Sequence, residues 1–141
     1  MRALVGLVLC ALLAGCSLDF GPTGVEVPVA EAEAFGRISI PTGVQVLRVR
    51  MDHGIDTSYR VVLRANEPDV RTMLRNSVFT APFRPVLDPS TRMVVAGPPM
   101  SSATNVKQAQ DHVENPWVYR DIVQDTRSPE EVYLHINLFN T

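Results

Sequence analysis

Two short clusters in the sequence combine histidine with carboxylate side chains, residue types that serve as general acids and bases and as metal ligands. The clusters are Asp52, His53 and Asp56, and Asp111, His112 and Glu114. Neither contains the H-x-H or H-x-x-x-H spacing of a metal site, and the third histidine, His135, stands apart from both. We place His135 on the outer side of a strand and expect it to be partly exposed. Aspartate and histidine are also common in turns, where they form local hydrogen bonds. We therefore favour a structural role for both clusters and predict no metal site and no cofactor.

Motifs of nucleophilic and nucleotide chemistry are absent from the sequence. It contains no G-x-S-x-G, G-x-G-x-x-G, P-loop or H-E-x-x-H pattern. Both cysteines, Cys10 and Cys16, lie in the first sixteen residues, so the rest of the chain has no thiol for a disulfide, a metal site or a nucleophile. We predict no catalytic residues and a protein that is not an enzyme. A hydrolase that uses dispersed carboxylates and histidines is the alternative.

Four arginines alternate with apolar residues in two neighbouring stretches, residues 44–51 and 57–65. They are Arg48, Arg50, Arg60 and Arg64. If the two stretches pair as strands, all four guanidinium groups point to the same side of the sheet. There they could recognise a phosphate, an anionic wall polymer or an acidic envelope protein. The competing interpretation is a solvated face whose charge is neutralised by acidic residues of other strands, such as Asp121 or Glu131.

Composition sets the broad class of the protein. The chain has 141 residues, a hydrophobic fraction of 45% and a formal net charge of -2. This length and hydrophobicity fit one domain with a buried core. The slightly negative charge argues against nucleic acid as a partner. Nothing in the sequence indicates an oligomeric state.

The first fifteen residues have the pattern of a secretory signal peptide. Arg2 precedes an uncharged apolar run from Ala3 to Gly15. Thirteen helical residues span only about 20 Å, which is shorter than the roughly 30 Å hydrocarbon core of a bilayer. A cleaved signal therefore fits this run better than a permanent transmembrane helix does.

The end of the run, Leu13-Ala14-Gly15-Cys16, resembles the lipobox of bacterial lipoproteins. The resemblance implies that the Cys16 thiol receives a diacylglyceryl group and that a signal peptidase cleaves between Gly15 and Cys16. It also implies that the new amino group of Cys16 is often acylated, so that the protein is extracytoplasmic and bound to a membrane through this residue. Ser17 follows the cysteine, which in diderm bacteria resembles cargo that is passed to the outer membrane. In a Gram-positive cell the protein would remain on the outer face of the plasma membrane.

The sequence divides into three parts: the signal peptide 1–15, a lipidated N-terminus with a flexible tether over 16–36, and one globular domain over 37–141. The tether is predicted from residues that interrupt regular structure and from the lack of any lasting periodicity. These residues are Gly21, Pro22, Gly24 and Pro28.

The first half of the globular domain reads as a hairpin followed by a helix. Residues 44–51 and 57–65 show the alternation of strands, and Gly54 lies in the turn between them. Asn66 then suits the N-cap of a helix whose apolar residues recur at helical spacing. The positions at this spacing are Val70, Met73, Leu74 and Ser77 or Val78.

The second half begins with residues 80–105, which carry five of the eleven prolines and therefore predict a long irregular connection. We expect a weak helix over 106–113 and strands over 117–124 and 131–139. The resulting order, β-β-α-loop-β-β, predicts a small two-layer α+β domain. It would have an antiparallel sheet of about four strands and one covering helix.

Together these features predict a lipid-anchored protein of the cell envelope that acts as a non-enzymatic binding, scaffolding or accessory module. The alternative is a lipid-anchored envelope hydrolase. The two differ in a structural requirement, because an enzyme needs a pocket in which its titratable groups converge.

Overall fold

The computed structural model describes residues 24–141. The signal peptide, Gly15, Cys16 and the beginning of the predicted tether lie outside the described residues. The described part of the chain contains two helices, seven strands and a 3-10 turn at Met100–Ser102. The elements are β1 (Val25–Glu26), α1 (Val29–Gly36), β2 (Gln45–His53), β3 (Thr57–Ala65), α2 (Glu67–Asn76), β4 (Arg84–Pro85), β5 (Val106–Val113), β6 (Val118–Ser128) and β7 (Glu131–Phe139).

All seven strands form one antiparallel sheet in the order β1-β2-β3-β7-β6-β5-β4. The predicted α+β class with an antiparallel sheet is confirmed. The prediction of about four strands and one helix understates the structure, which adds α1, β5 and the two-residue edge strands β1 and β4. Two-residue strands carry no periodic signal, so their pairing depends on neighbours that lie elsewhere in the sequence.

The hairpin predicted from residues 44–65 is present as β2 and β3. Val49 pairs with Val61 and Met51 with Tyr59, so odd-numbered residues share one face over most of its length. A bulge at Leu47 shifts the register by one residue. Leu47 therefore leaves the alternation, and its side chain lies near Gly97 on the opposite face.

Both helices pack on one face of the sheet, where β3, β6 and β7 contribute buried residues that include Val61, Ile122 and Leu134. Helix α2 begins at the predicted cap, since the Asn66 side chain accepts a hydrogen bond from the Asp69 amide at 2.8 Å. Val70 and Met73 of this helix are buried against the sheet.

The end of the predicted tether is part of this core. Residues 24–36 form β1 and α1, and Ala32 of α1 is completely buried. Gly36 lies so close to β7 that a Cβ placed there would be 2.5 Å from Leu138 Cδ1. A helix of eight residues has little intrinsic stability, so α1 owes its existence to packing that local sequence does not show.

A buried arginine joins the ends of the two helices. Arg120 of β6 is 1% exposed and donates to both carboxylate oxygens of Asp111, at 2.7 and 2.5 Å. It also donates to the carbonyl of Ser77 at 2.9 Å and to that of Arg37 at 3.3 Å. Because helix C-termini carry partial negative charge and unpaired carbonyls, this guanidinium stabilises α1 and α2 at once.

The weak helix predicted over 106–113 is wrong, since these residues form β5. Val106, Ala109 and Val113 have helical spacing, but Val106 faces one side of the sheet and the other two face the opposite side. A strand that buries side chains on both faces does not show the alternation of apolar and polar residues that identifies a strand. The sequence of β5 was therefore predicted as a helix.

The irregular connection predicted over residues 80–105, called the proline-rich segment below, covers part of the sheet face opposite the helices. Met100, Val106 and Val123 form a second buried cluster with Val86 and Val94. Arg127 fixes the segment by donating to the carbonyls of Pro99 and Ser102, each at 3.1 Å. Neither helix of residues 24–141 is long and apolar enough to cross a membrane.

Candidate ligand-binding cleft

The sheet face opposite the helices, called the open face below, presents its side chains in rows across five strands. Directly paired residues of neighbouring strands point to the same side, so the strand register defines each row. The row nearest the hairpin turns, called the tip row, consists of Asp52, Ser58, Phe139, Tyr119 and His112. The next two rows are Arg50, Arg60, Asn137, Asp121 and Gln110, and Arg48, Val62, His135, Val123 and Gln108.

The four arginines singled out in the sequence all belong to the open face, and three of them are paired with carboxylates. The pairs are Arg48 with Glu26 at 2.6 Å, Arg60 with Asp52, and Arg64 with Glu131 at 3.0 Å. Arg50 donates to the carbonyl of Gly24 at 2.6 Å. The arrangement therefore corresponds to a neutralised face, with Glu131 as one of the partners, and leaves little unbalanced positive charge for an anionic polymer.

The two histidine and carboxylate clusters lie at the same end of the sheet but do not converge. Asp52 and His112 occupy opposite ends of the tip row, four strand spacings or about 19 Å apart. His112 stacks on Trp117 with ring centroids 4.1 Å apart, and its Nε2 is 4.0 Å from Glu114. Among residues 24–141, no group of three or more His, Cys, Asp or Glu side chains is placed to hold a metal ion.

A small cavity of about 180 Å³ lies between the open face and the proline-rich segment. Its floor contains Arg60, Asp121, His135 and Asn137, and its roof contains Arg92, Met93 and Val95. It shares Arg60 and Asn137 with a shallower depression of about 480 Å³ that extends to Ser58 and Phe139 of the tip row. We call the two together the cleft.

The inner end of the cleft holds a neutral histidine with a free ring nitrogen. His135 lies between Val62 and Val123 on the neighbouring strands, and its Nε2 is buried with no hydrogen-bond partner within residues 24–141. Burial lowers the pKa of His135, and Arg127 lowers it further, whereas Asp125 opposes the shift. The imidazole is therefore uncharged at neutral pH and can donate or accept a hydrogen bond.

Asn137 adds a second polar side chain to the cleft. It follows His135 by two residues on β7 and faces the same cleft. A carboxamide and a neutral imidazole supply donors and acceptors without charge. The cleft therefore suits the hydroxyl, amide or carbonyl groups of a polar ligand.

The roof of the cleft is fixed to its floor by hydrogen bonds. Arg92 donates to Gln108 Oε1 at 2.5 Å, and Gln108 Nε2 donates to Asp121 Oδ1 at 2.7 Å. Arg48 donates to the carbonyl of Val95 at 2.9 Å. Arg48, predicted as part of a binding surface, thus positions the wall of a different site.

The size of the cavity restricts what it can accept. A volume of about 180 Å³ is below the roughly 300–1,000 Å³ of sites for drug-sized molecules. It admits a small molecule, or one end of a larger one that also occupies the shallower depression. None of the side chains that line the cavity is a serine or cysteine nucleophile.

Sequence reasoning placed His135 on the outer side of a strand but not at a site, because the roof above it comes from a segment with no regular structure. It also missed the aromatic side chains at the end of the sheet that carries the tip row, called the tip end below. Trp117 directly precedes β6, Tyr119 is the second residue of β6, and Phe139 ends β7. The spacing of Trp117 and Tyr119 was a usable signal, since residues two apart in an extended chain lie on the same face.

Gly15 and Cys16, the predicted cleavage and lipid-attachment residues, lie outside the described residues. Comparison of the chain with protein-family models, curated proteins and solved structures finds no match.

Proposed function

We propose that this protein is a lipid-anchored binding module of the bacterial cell envelope. Acylated Cys16 attaches it to the membrane, and the cleft binds a small polar ligand or the polar end of a larger one. The observation that carries the binding role is the buried His135 Nε2, which has no hydrogen-bond partner within the described residues and lies in a cavity that the Asn137 side chain also lines.

A polar group without a hydrogen-bond partner lowers the stability of the protein that buries it. A buried donor or acceptor without a hydrogen bond costs about 1–3 kcal/mol, and native proteins contain few such groups. His135 Nε2 is such a group, so it weakens the unliganded protein. A ligand that pairs with it recovers this free energy on binding.

Binding is favoured over hydrolysis by the positions of the titratable residues. The two histidine and carboxylate clusters that a hydrolase would draw on are about 19 Å apart across the sheet. Three of the four open-face arginines are paired with carboxylates, so an uncharged or zwitterionic ligand fits the cleft better than an anionic polymer.

The anchor follows from the lipobox and from acyl-chain energetics. Each buried methylene contributes about 0.8 kcal/mol, so one chain binds a membrane reversibly and two or more anchor stably. With Ser17 after the cysteine, the outer membrane is the destination if the host is a diderm.

The anchor is tested by comparing the wild type with Cys16→Ala after expression in a bacterial host. We expect the wild type to begin at Cys16, to carry the added mass of its acyl chains, and to require detergent for release from membranes. The variant should lack the acyl mass. Equal masses and equal solubility for the two proteins would contradict the proposal.

The cleft is tested by photocrosslinking on intact cells. A benzophenone amino acid replaces Met93, an exposed residue at the mouth of the cavity, or Leu87, an equally exposed residue outside it. We expect an adduct from position 93 that is absent from position 87 and is lost when His135→Phe fills the inner end. The absence of an adduct at position 93, or the same adduct at both positions, would contradict a ligand in the cleft.

A further inference from the structure

The chain enters the described domain at the end of the sheet that carries the tip row. Val25 pairs with Met51, which places Gly24 beside Asp52 of the tip row. Residues 16–23, which join the domain to Cys16, therefore start from this end. Eight residues reach at most about 27 Å when fully extended, so acylation of Cys16 keeps the tip end close to the lipid surface.

Large apolar side chains are exposed at this same end. Ile55 is fully exposed in the turn between β2 and β3. Trp117 and Tyr119, at the turn between β5 and β6, are 44% and 37% exposed. The centres of the two turns lie three strand spacings, or about 14 Å, apart along the sheet, so the domain presents two separate apolar contacts in one direction.

The aromatic contact is held rigidly. Trp117 stacks on His112 at 4.1 Å and meets Tyr119 edge-on at 6.1 Å, and Tyr119 stacks on Phe139 at 5.2 Å. A side chain that is already ordered loses less conformational entropy when it binds a surface. Tryptophan and tyrosine are also the residues most enriched at membrane–water interfaces, because their rings are apolar and their edges are polar.

We propose that the tip end of the domain rests on the lipid surface to which Cys16 is anchored, with Ile55, Trp117 and Tyr119 at the level of the headgroups. This inference rests on the proposed acylation of Cys16, which raises the local concentration of lipid so that a weak contact suffices. The turns also carry the exposed carboxylates Asp56 and Glu114. The contact is therefore apolar and favours zwitterionic over anionic lipid.

Trp117 is the only tryptophan in the chain and reports directly on this contact. The acylated mature protein is reconstituted into vesicles of zwitterionic phosphatidylcholine and phosphatidylethanolamine, with or without brominated acyl chains. We expect brominated lipid to quench Trp117 fluorescence and the emission to lie at shorter wavelength than in Cys16→Ala. Aqueous iodide should quench the reconstituted protein less than it quenches this variant.

Two variants of the acylated protein distinguish a lipid contact at the tip end from an effect common to any exposed apolar side chain. Ile55→Ser removes the second apolar contact and should reduce quenching by brominated lipid. Leu87→Ser removes an equally exposed leucine near the opposite end of the sheet and should leave the quenching unchanged. Equal loss of quenching in both variants would overturn the proposal.

Intact mass and flotation with the vesicles test the anchor separately from the contact. A protein that is acylated and floats, but whose Trp117 is quenched by iodide and not by brominated lipid, overturns the docking proposal and leaves the anchor standing. A protein that carries no acyl mass overturns both. Quenching by brominated lipid that Ile55→Ser reduces supports the docked orientation.

Discussion

At the scale of single residues, Arg120 has the largest expected effect on stability. Its guanidinium satisfies Asp111 and the carbonyls at the ends of both helices from a position that is 1% exposed. Arg120→Met would leave the carboxylate and these carbonyls without their partner. Removal of one member of a buried ion pair costs about 3–5 kcal/mol, and we expect a decrease of this size in the free energy of unfolding measured with urea.

The control for this prediction is the exposed pair of Arg71 with Glu67, at 3.8 Å on the surface of α2. Arg71→Met should change the free energy of unfolding by no more than about 0.5 kcal/mol. If Arg120→Met were as mild as Arg71→Met, the guanidinium would not join the two helices in the folded protein.

His135 predicts a specific dependence of stability on pH. Burial lowers its pKa in the folded protein below the unfolded value of about 6.5. Below pH 6.5 the unfolded chain therefore binds a proton that the folded protein resists binding, so stability is complete above this pH and decreases as the pH falls through it.

His135→Gln removes this contribution and leaves the carboxylates and the other two histidines in place. We expect the free energy of unfolding of the wild type to decrease more steeply than that of the variant between pH 7.5 and pH 5. Parallel pH profiles for the two proteins would show that the ring is not buried in its neutral form.

At the scale of elements, the sequence predicted those whose signal is local. The hairpin β2–β3, the capped helix α2 and the strands β6 and β7 follow from alternation, helical spacing and one asparagine. The failures, α1 and β5, are elements whose burial depends on other parts of the chain. For the site, the sequence placed His135 on the outer face of its strand. The proline-rich segment covers His135 and completes the cleft. It has no apolar periodicity, so its position over the sheet could not be predicted from the sequence.

Gly36 tests whether α1 belongs to the core. In Gly36→Ala the new Cβ would meet the fully buried Leu138 at 2.5 Å. Overpacking of this kind costs about 1–3 kcal/mol, which we expect to appear as a lower midpoint of thermal unfolding.

Gly54→Ala is the matched control, because no atom lies within 4 Å of the added Cβ in the turn between β2 and β3. Its effect should stay within about 0.5 kcal/mol. Similar midpoints for the two variants would mean that residues 29–36 are not packed in the core and belong to the tether predicted from the sequence.

At the scale of the whole molecule, the central strands bury side chains on both faces. On β6, Ile122 belongs to the core beneath the helices and Val123 to the cluster beneath the proline-rich segment. The helix layer on one face and the proline-rich layer on the other are therefore built on the same strands. We expect them to be lost together when the protein unfolds.

Methionines in the two layers make this measurable. Met73 lies in the helix layer and Met100 in the proline-rich layer, and both are almost completely buried. Each substitution by alanine should cost about 2–5 kcal/mol and leave a single transition with an unchanged dependence on denaturant. A second transition in Met100→Ala alone would mean that the proline-rich layer opens independently.

The order of the strands also bears on when the chain can fold. β7 is the last strand in sequence and the middle strand of the sheet, where residues 132–139 pair with residues 58–65 of β3. Until β7 has been synthesised, the β2–β3 hairpin and the β5–β6 hairpin have no strand to join them, and closing the long intervening loop is slow. The domain therefore completes its sheet only after residues 131–139 have been synthesised. For the export that we propose, this delay keeps the domain in the unfolded form that a secretory channel accepts.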